Sequence, residues 1–300
     1  MANSITTAKI YLAMLDAVYA ASAKTMILDN NQFVREGAQA GEVLIPKMTI
    51  QGLGDYSRTA GFVNGDVTLT WETHSLTQDR GRSFQIDNMD NMETIDTAFG
   101  QLAGEFIRTK AVAEIDAYRM AKLASKAGTT ATAATLTAST AAQAVDDAIA
   151  AMNEAEVPEE DRVLFVTPTV YKFISQSADF IKNINGATGT ELDKRFTTYN
   201  GIPVVIVPQT RMYTKLTMLT GATGQEAGGY AKDGTTGKDI NFMLVHRPSV
   251  LGVTKHIAPR VFTPETNQSA DAYKFQYRIY HDLFVPDNRT NGIYLHRKAS

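Results

Sequence analysis

Polar and apolar residues alternate from Val67 to Glu72: Val67, Leu69 and Trp71 are separated by Thr68, Thr70 and Glu72. This period of two is the signature of a strand with one apolar face. The phase then slips, so that Leu76, Arg80, Arg82, Phe84 and Ile86 fall on even positions, which predicts a bulge or twist near Thr73 to Ser75. Upstream, Val43 to Ile50 is a short strand, Gly52 to Gly65 is rich in turns, and Asn64-Gly65 is the strongest short hairpin signal. Extended chain from Asp66 to Ile86 spans roughly 60 to 70 Å. A compact body of this length is only about 50 Å across. Part of the hairpin is therefore expected to project as an arm. Its outer half, Asp55 to His74, reads as too poor in large apolar residues to order itself alone.

The pattern changes to helical after the hairpin. Ile95, Phe99, Leu102, Phe106, Ala113 and Leu123 form a drifting stripe, joined by Ile107, Val112 and Ile115, and predict one helix over Glu93 to Lys126. Such a helix is about 50 Å long. Asp90 and Glu93 suggest a capping box at its start, Lys122 and Lys126 suit its C-terminal dipole, and Gly128 follows as a stop. Gly100 and Gly104 suggest close approach by another segment, because each costs about 1 kcal/mol in mid-helix.

Thr129 to Thr140 is a low-complexity alanine and threonine linker. Beyond it, Ala141, Ala144, Val145, Ala148, Ile149 and Met152 predict a helix, Arg162 to Thr167 a buried strand, and Thr167-Pro168 the start of a second helix. Phe180 to Tyr199 is irregular. Ile202 to Val207 predicts a central strand, with further strands over Leu216 to Leu219 and Ile240 to His246 around an exposed loop, Gly221 to Asp239. A shared core of Val145, Ile149, Val163, Phe165, Val204 and Ile206 is expected. Tyr273 to Val285 alternates cleanly, with Gly292 to Leu295 expected to pair back on it after a turn, and the long helix is the expected cover for its apolar face. At the other end, Ile5 to Leu28 reads as an amphipathic helix with Leu12, Leu15, Val18 and Tyr19 on one side, followed by polar sequence to Gly41.

Composition adds mostly exclusions. Among 300 residues there is no cysteine, which removes disulfides, thiolate metal sites and cysteine nucleophiles. A net charge of -3 gives no basic footprint for duplex recognition. Ile10 to Leu15 is too short for a signal peptide before Asp16 interrupts it, and Ala127 to Val145 is too weakly apolar for a membrane span.

The search for chemistry finds no catalytic, cofactor-binding or metal constellation. His74, His246, His256, His281 and His296 lack metal spacing. Gly237-Lys238 imitates a phosphate loop, but Lys232 and Asp239 occupy the positions of its first glycine and its hydroxyl residue. Asp146-Asp147 and Glu159-Glu160-Asp161 read as solvated acids. Arg80 and Arg82 share one strand face, are flanked by Asp79 and Asp87, and suit ion pairs to another chain. Together with Trp71 as an aromatic anchor they are the candidate intersubunit contacts.

The segments occur in a distinctive order: a leading arm, a protruding hairpin, a long helix, an α/β stretch entered through a linker, and a strand returning to the helix. That order resembles the major capsid proteins of tailed bacteriophages, the Hong Kong-type shell fold. Gly65-Asp66-Val67-Thr68-Leu69-Thr70-Trp71-Glu72 and Leu76-Thr77-Gln78-Asp79-Arg80-Gly81-Arg82-Ser83-Phe84 are similar to the extended-loop segment of such proteins from phages of Gram-positive hosts. Val157-Pro158-Glu159-Glu160-Asp161-Arg162, Phe165-Val166-Thr167-Pro168 and Tyr277-Arg278-Ile279-Tyr280-His281-Asp282 resemble two further family blocks.

The resemblance implies an α+β fold. Its divisions are an N-terminal arm (1–42), an extended loop (43–85), a discontinuous peripheral domain with a spine helix (86–130 and 260–300), and an inserted α/β axial domain (131–259). It implies a structural protein, not an enzyme, that self-assembles into pentamers and hexamers of an icosahedral virion shell around double-stranded DNA. No cofactor or membrane is implied, and assembly takes place in the host bacterial cytoplasm. The implied partners are the chain itself, a scaffolding protein supplied separately or from a segment already removed, a portal, decoration proteins, and DNA bound without sequence readout. Lys47 and Lys255 match no cross-linking motif. An encapsulin-like nanocompartment shell shares the fold, and an α/β enzyme built on residues 131–259 is the remaining alternative.

Overall fold

The computed structural model describes residues 23–29, 35–36, 42–59, 61–93, 97–177 and 196–299. The expected helix from Ile5 lies outside them except for its end, where Met26–Leu28 forms a 3-10 turn. The chain then forms β1 (Glu42–Ile50), β2 (Val67–Ser75) and β3 (Gln78–Asp87). A helical run follows, with α1 (Asn88–Glu93), α2 (Thr97–Phe106), a π turn at Ile107–Ala111, and α3 (Val112–Ser125). Next come α4 (Ala141–Glu154), β4 (Arg162–Val166), α5 (Pro168–Ser175), β5 (Ile202–Ile206), β6 (Leu216–Met218) and β7 (Tyr230–Lys232). β8 (Ile240–His246), β9 (Leu251–Phe262), β10 (Ala272–Phe284) and β11 (Ile293–Arg297) complete the order. The class is α+β.

Alternation along β10 does what its period implies. Phe275, Tyr277 and Ile279 turn one face toward Ala103, Ile107, Val112 and Ile115 of the helical run, and bury against them. The π turn explains the drift of the helical stripe: it widens the turn by one residue, keeping Ile107 and Ala111 and then Val112 and Ile115 on the sheet. Helix α1 begins at Asn88, because the Asp87 carboxylate accepts from the Met89 N–H at 2.9 Å and caps it; Asp90 lies in the first turn rather than at the cap. Ile95 is outside the described residues, as are the side chains of Glu93 and Phe99. The expected close approach at Gly104 is not found, since a Cβ there would meet open space. It occurs instead at Gly128, where a Cβ would stand 2.6 Å from the Thr290 carbonyl.

Two antiparallel ladders place β10 between β9 and β3. The second sheet has six strands in the order Thr129–Thr130, β11, β8, β4, β5, Thr198–Tyr199. Helices α4 and α5 cover one of its faces through Val145, Met152, Val170 and Ile174, while Met120 and Leu123 of α3 help to cover the other. β4 and β8 are buried on both faces, which accounts for their apolar runs, Val163 to Val166 and Phe242 to Val245.

Several expectations are corrected here. The two strands β1 and β2 are joined by the whole loop 51–66, with Gln51 N–H donating to Asp66 O and a small bridge at Ser57 and Gly61, so Asn64-Gly65 is not the hairpin turn. Residues Ile293–Arg297 do not pair back on β10. A 3-10 turn, Asp287–Gly292, carries them into the six-stranded sheet between β8 and Thr129–Thr130, because Ile293, Tyr294, Leu295 and His296 are all buried and fit only a covered strand. The partner of β10 on that side is β9, whose ladder runs through the boundary expected at 259 and 260. The sheet divides the expected six-residue core: Val163 and Phe165 face α3, Val145, Ile149 and Val204 lie on the other side, and Ile206 is exposed. β5 is next to the edge rather than central.

Two buried charges on α3 tie these layers together. The Asp116 carboxylate accepts from the N–H of Lys24 (3.1 Å), the N–H of Thr25 (3.0 Å) and the hydroxyl of Thr25 (2.7 Å), and pairs with Arg211 at 3.0 Å. Arg119 pairs with Asp29 at 2.8 Å and donates to Thr254 at 3.1 Å. Asp116 and Arg119 are wholly buried. Removing one member of such a set leaves the others uncompensated, so Asp116→Ala is expected to lower unfolding free energy by about 3 to 5 kcal/mol, read from urea denaturation.

Candidate intersubunit surface

Register decides what the β1–β2 hairpin shows to solvent. Pro46 stands opposite Trp71, Met48 opposite Leu69, and Ile50 opposite Val67, so the even positions of β1 and the odd positions of β2 form one continuous apolar face. Ile50 is 65% exposed, Val67 63%, Met48 53%, Leu69 52% and Trp71 42%. The other face begins with Val43 and Ile45, which join Leu76, Leu251, Val253 and Phe284 in a small root cluster. It then turns polar, and Lys47 pairs with Glu72 at 3.0 Å. Leu53, Tyr56, Phe62 and Val63 add exposed apolar surface in the connecting loop, so the outer half carries more large apolar residues than expected. Arg35–Glu36 pairs antiparallel with Val43 and Leu44 at the root, so the ribbon is two-stranded only beyond it, and an apolar face of this extent there is a surface that calls for cover.

The bulge expected near Thr73 to Ser75 does not occur, because those residues pair with Glu42 to Leu44 in regular register; the phase changes instead at the break between β2 and β3, Leu76 and Thr77. The buried Asp282 carboxylate accepts from Thr77 N–H (2.9 Å), Thr77 Oγ1 (2.8 Å) and the Tyr118 hydroxyl (2.8 Å). Burial raises the Tyr118 phenol well above its ordinary pKa, so it stays a donor.

Arg80 and Arg82 do share a face, as their spacing implies, but that face looks toward the same chain. Arg80 Nε bonds Glu114 at 2.6 Å, and its Nη2 donates to the carbonyls of Leu219 (2.8 Å) and Gly229 (3.2 Å). Arg82 donates to Glu226 O at 2.8 Å. Its guanidinium sits 3.3 and 3.1 Å from where a Cβ would be on Gly221 and Gly228, both with positive φ, so the loop receives it only as glycine. The two arginines thus fasten β3 to the loop expected to be exposed, along a cleft of about 1420 Å³. Both side chains are thus engaged within the chain, an arrangement of which spacing alone carries no sign.

Other acidic residues bond within the chain. Asp146 accepts from Tyr199 and Asn200, and Glu159 from Asn153. Asp233 accepts from the Thr235 and Thr236 N–H groups, and the Thr236 N–H foremost lowers its pKa to about 2; the donors that a phosphate would need are thereby filled. Among the described residues no group of three His, Cys, Asp or Glu is placed to hold a metal, and no helix is long and apolar enough to cross a membrane.

A family model described as phage capsid protein matches residues 65–289. The chain belongs to the phage capsid protein family. No curated protein matches it in sequence. Solved structures carry the same fold. A Gordonia phage Cozz structure aligns over 92% of this chain and 87% of that one, with a TM-score of 0.61 at 11% identity. The capsid structure of cyanophage P-SCSP1u gives 0.58 at 16% identity over 89% and 86%. A virus-like particle from Pyrococcus furiosus gives 0.52 at 9% identity over 95% and 99%.

The capsid protein is thus a structural component of a phage shell, and its place is the virion capsid. The enzyme reading of residues 131–259 is set aside, and family membership favours a phage capsid over an encapsulin-like compartment. Sequence reasoning missed Asp282, Tyr118 and the β1 half of the apolar face. The even positions Pro46, Met48 and Ile50 were the available signal for the latter.

His281 neighbours Asp282 and packs edge-on against Tyr118. Burial foremost, then the Arg119 charge, lowers its pKa to about 3 against the partial opposition of Asp282. A depressed base contributes stability that is present above the unfolded value near 6.5 and lost as pH falls toward 3. At pH 5 this loss is expected to reach about 2 kcal/mol relative to pH 8. His281→Leu, which also removes an Nδ1 without a hydrogen-bond partner, should cancel about that much of the slope in urea titrations across the range.

Proposed function

We propose that this capsid protein builds pentamers and hexamers of an icosahedral phage head around double-stranded DNA, and that the apolar face of the β1–β2 hairpin lies on an adjacent subunit. The observation that carries the reading is the exposed stripe of Met48, Ile50, Val67, Leu69 and Trp71. Trp71 is its anchor: a buried interface tryptophan contributes on the order of 2 kcal/mol or more. That contribution recurs at every subunit contact. Arg82, exposed though bonded within the chain to Glu226, is kept as a candidate contact to a neighbouring subunit.

A separate scaffolding protein, a portal, decoration proteins and assembly in the host bacterial cytoplasm belong to this proposal. The net charge of -3 supports a wall that confines DNA without reading it. The division into arm (1–42), extended loop (43–85), peripheral (86–130 and 260–300) and axial (131–259) parts is kept as a proposal. In it, β9 and β11 are strands shared across the boundaries.

The test replaces Met48, Leu69 and Trp71 together by threonine, which suits exposed strand positions. The variant is expected to keep its circular dichroism spectrum and melting temperature but to remain as small oligomers or monomers in light scattering, with no shells by electron microscopy. Shells indistinguishable from those of the unmodified chain would overturn the reading.

A further inference from the structure

The hairpin leaves the body through Glu42 on one side and through Leu76 and Thr77 on the other. Its apolar face does not hold it, because that face is exposed. Its direction therefore depends on the root cluster, on the pairing of Arg35–Glu36 with Val43 and Leu44, and on whatever fixes the two-residue break between β2 and β3. Leu76 is held by the cluster, and its carbonyl accepts from the Tyr280 hydroxyl at 3.2 Å. Thr77 is exposed, yet both of its donors point inward to one carboxylate.

That carboxylate, Asp282, is wholly buried on a strand whose next residues are Leu283, Phe284 and Val285. An apolar side chain would suit the position better unless its charge were fully bonded. It is so bonded, by Thr77 N–H, Thr77 Oγ1, Tyr118 OH, and the Leu283 N–H at 2.7 Å. Tyr118 OH and Thr77 Oγ1 are themselves 3.1 Å apart. One carboxylate thus joins the hairpin root, the long helix and β10.

We infer that Asp282 is the positioning residue of the hairpin: it sets the direction in which the arm leaves the body, and so the geometry in which one subunit meets the next. Charge-assisted bonds to a buried carboxylate are among the stronger ones a protein makes, whereas Thr77 turned to solvent would leave the break free to pivot. The second half of the inference rests on the intersubunit reading above, and the first half does not.

Thr77→Val and Tyr118→Phe each remove donors from Asp282 without removing the carboxylate or the root cluster, and Thr77→Ser restores the hydroxyl. The readouts are hydrogen exchange of residues 42–50 and 67–77, and the anisotropy decay of Trp71, the single tryptophan of the chain. Both are taken at concentrations where the subunit is monomeric. Exchange in the hairpin is expected to rise about tenfold in the Val and Phe variants, with faster Trp71 depolarisation, while β4 and β8 keep their protection and Thr77→Ser behaves as the unmodified chain. Assembled Val and Phe variants are expected to give shells of mixed size and curvature by electron microscopy. Unchanged exchange and anisotropy in both variants, or Thr77→Ser as loosened as Thr77→Val, would overturn the inference. Loosened hairpins that still build shells of one size would overturn its geometric half. Failure of the intersubunit reading shows separately, as shells formed by the stripe variant.

Discussion

A carboxylate and a guanidinium one turn apart on the long helix, Asp116 and Arg119, are the constraint on which the subunit depends. Neither reaches water, and an unpaired buried charge costs several kcal/mol. Their partners come from Lys24 to Asp29, from Arg211, and from Thr254 in the strand beside β10. No local segment can satisfy them. The N-terminal segment, the helix, the three-stranded sheet and the 3-10 turn at Gln209–Arg211 must therefore be in place together, which makes the joint cooperative and its geometry specific.

Around that joint the structure follows a simple division. Two sheets share one helical run: Ile107 and Ile115 pack on β10, and Met120 and Leu123 on the six-stranded sheet. The π turn lets one rod present apolar side chains in both directions as its face rotates. Arg80 and Arg82 make a second, more exposed connection, by reaching from β3 to carbonyls of the loop between β6 and β7. Those bonds to backbone oxygens need no particular side chain opposite, whereas Arg80 also requires Glu114 and the glycines that admit Arg82 are sterically demanding.

The hairpin is the opposite case, a segment with ample apolar surface and little of its own chain to cover it. Its root is rigidly specified by Val43, Ile45, Leu76 and the Asp282 bonds, while the outer strands rely on each other alone. A surface that is ordered in direction yet uncovered suits a protein whose final environment is a lattice of its own copies.

Much of this was legible in the sequence because periodicity reports burial. The alternation of β10, the apolar runs of β4 and β8 and the later part of the helical stripe appear where the structure has them, the phase slip falls at Leu76 and Thr77 rather than at Thr73 to Ser75, and the order of the segments along the chain carried the family resemblance. Periodicity is local, however, and says that a face is covered without saying by what. Whether Ile293–Arg297 would return to β10 or enter the other sheet, which strand would flank β10, and which way Arg80 and Arg82 would look all depended on partners far away in sequence. Half of the hairpin's apolar face was visible in Val67, Leu69 and Trp71, and the other half, Pro46, Met48 and Ile50, joined it only through the register of pairing. Asp282 looked like one polar residue in an alternating strand. Only the tertiary structure, by burying it beside Thr77 and Tyr118, made it the hinge-pin of the arm, because a carboxylate removed from water must take whatever donors the fold brings within 3 Å.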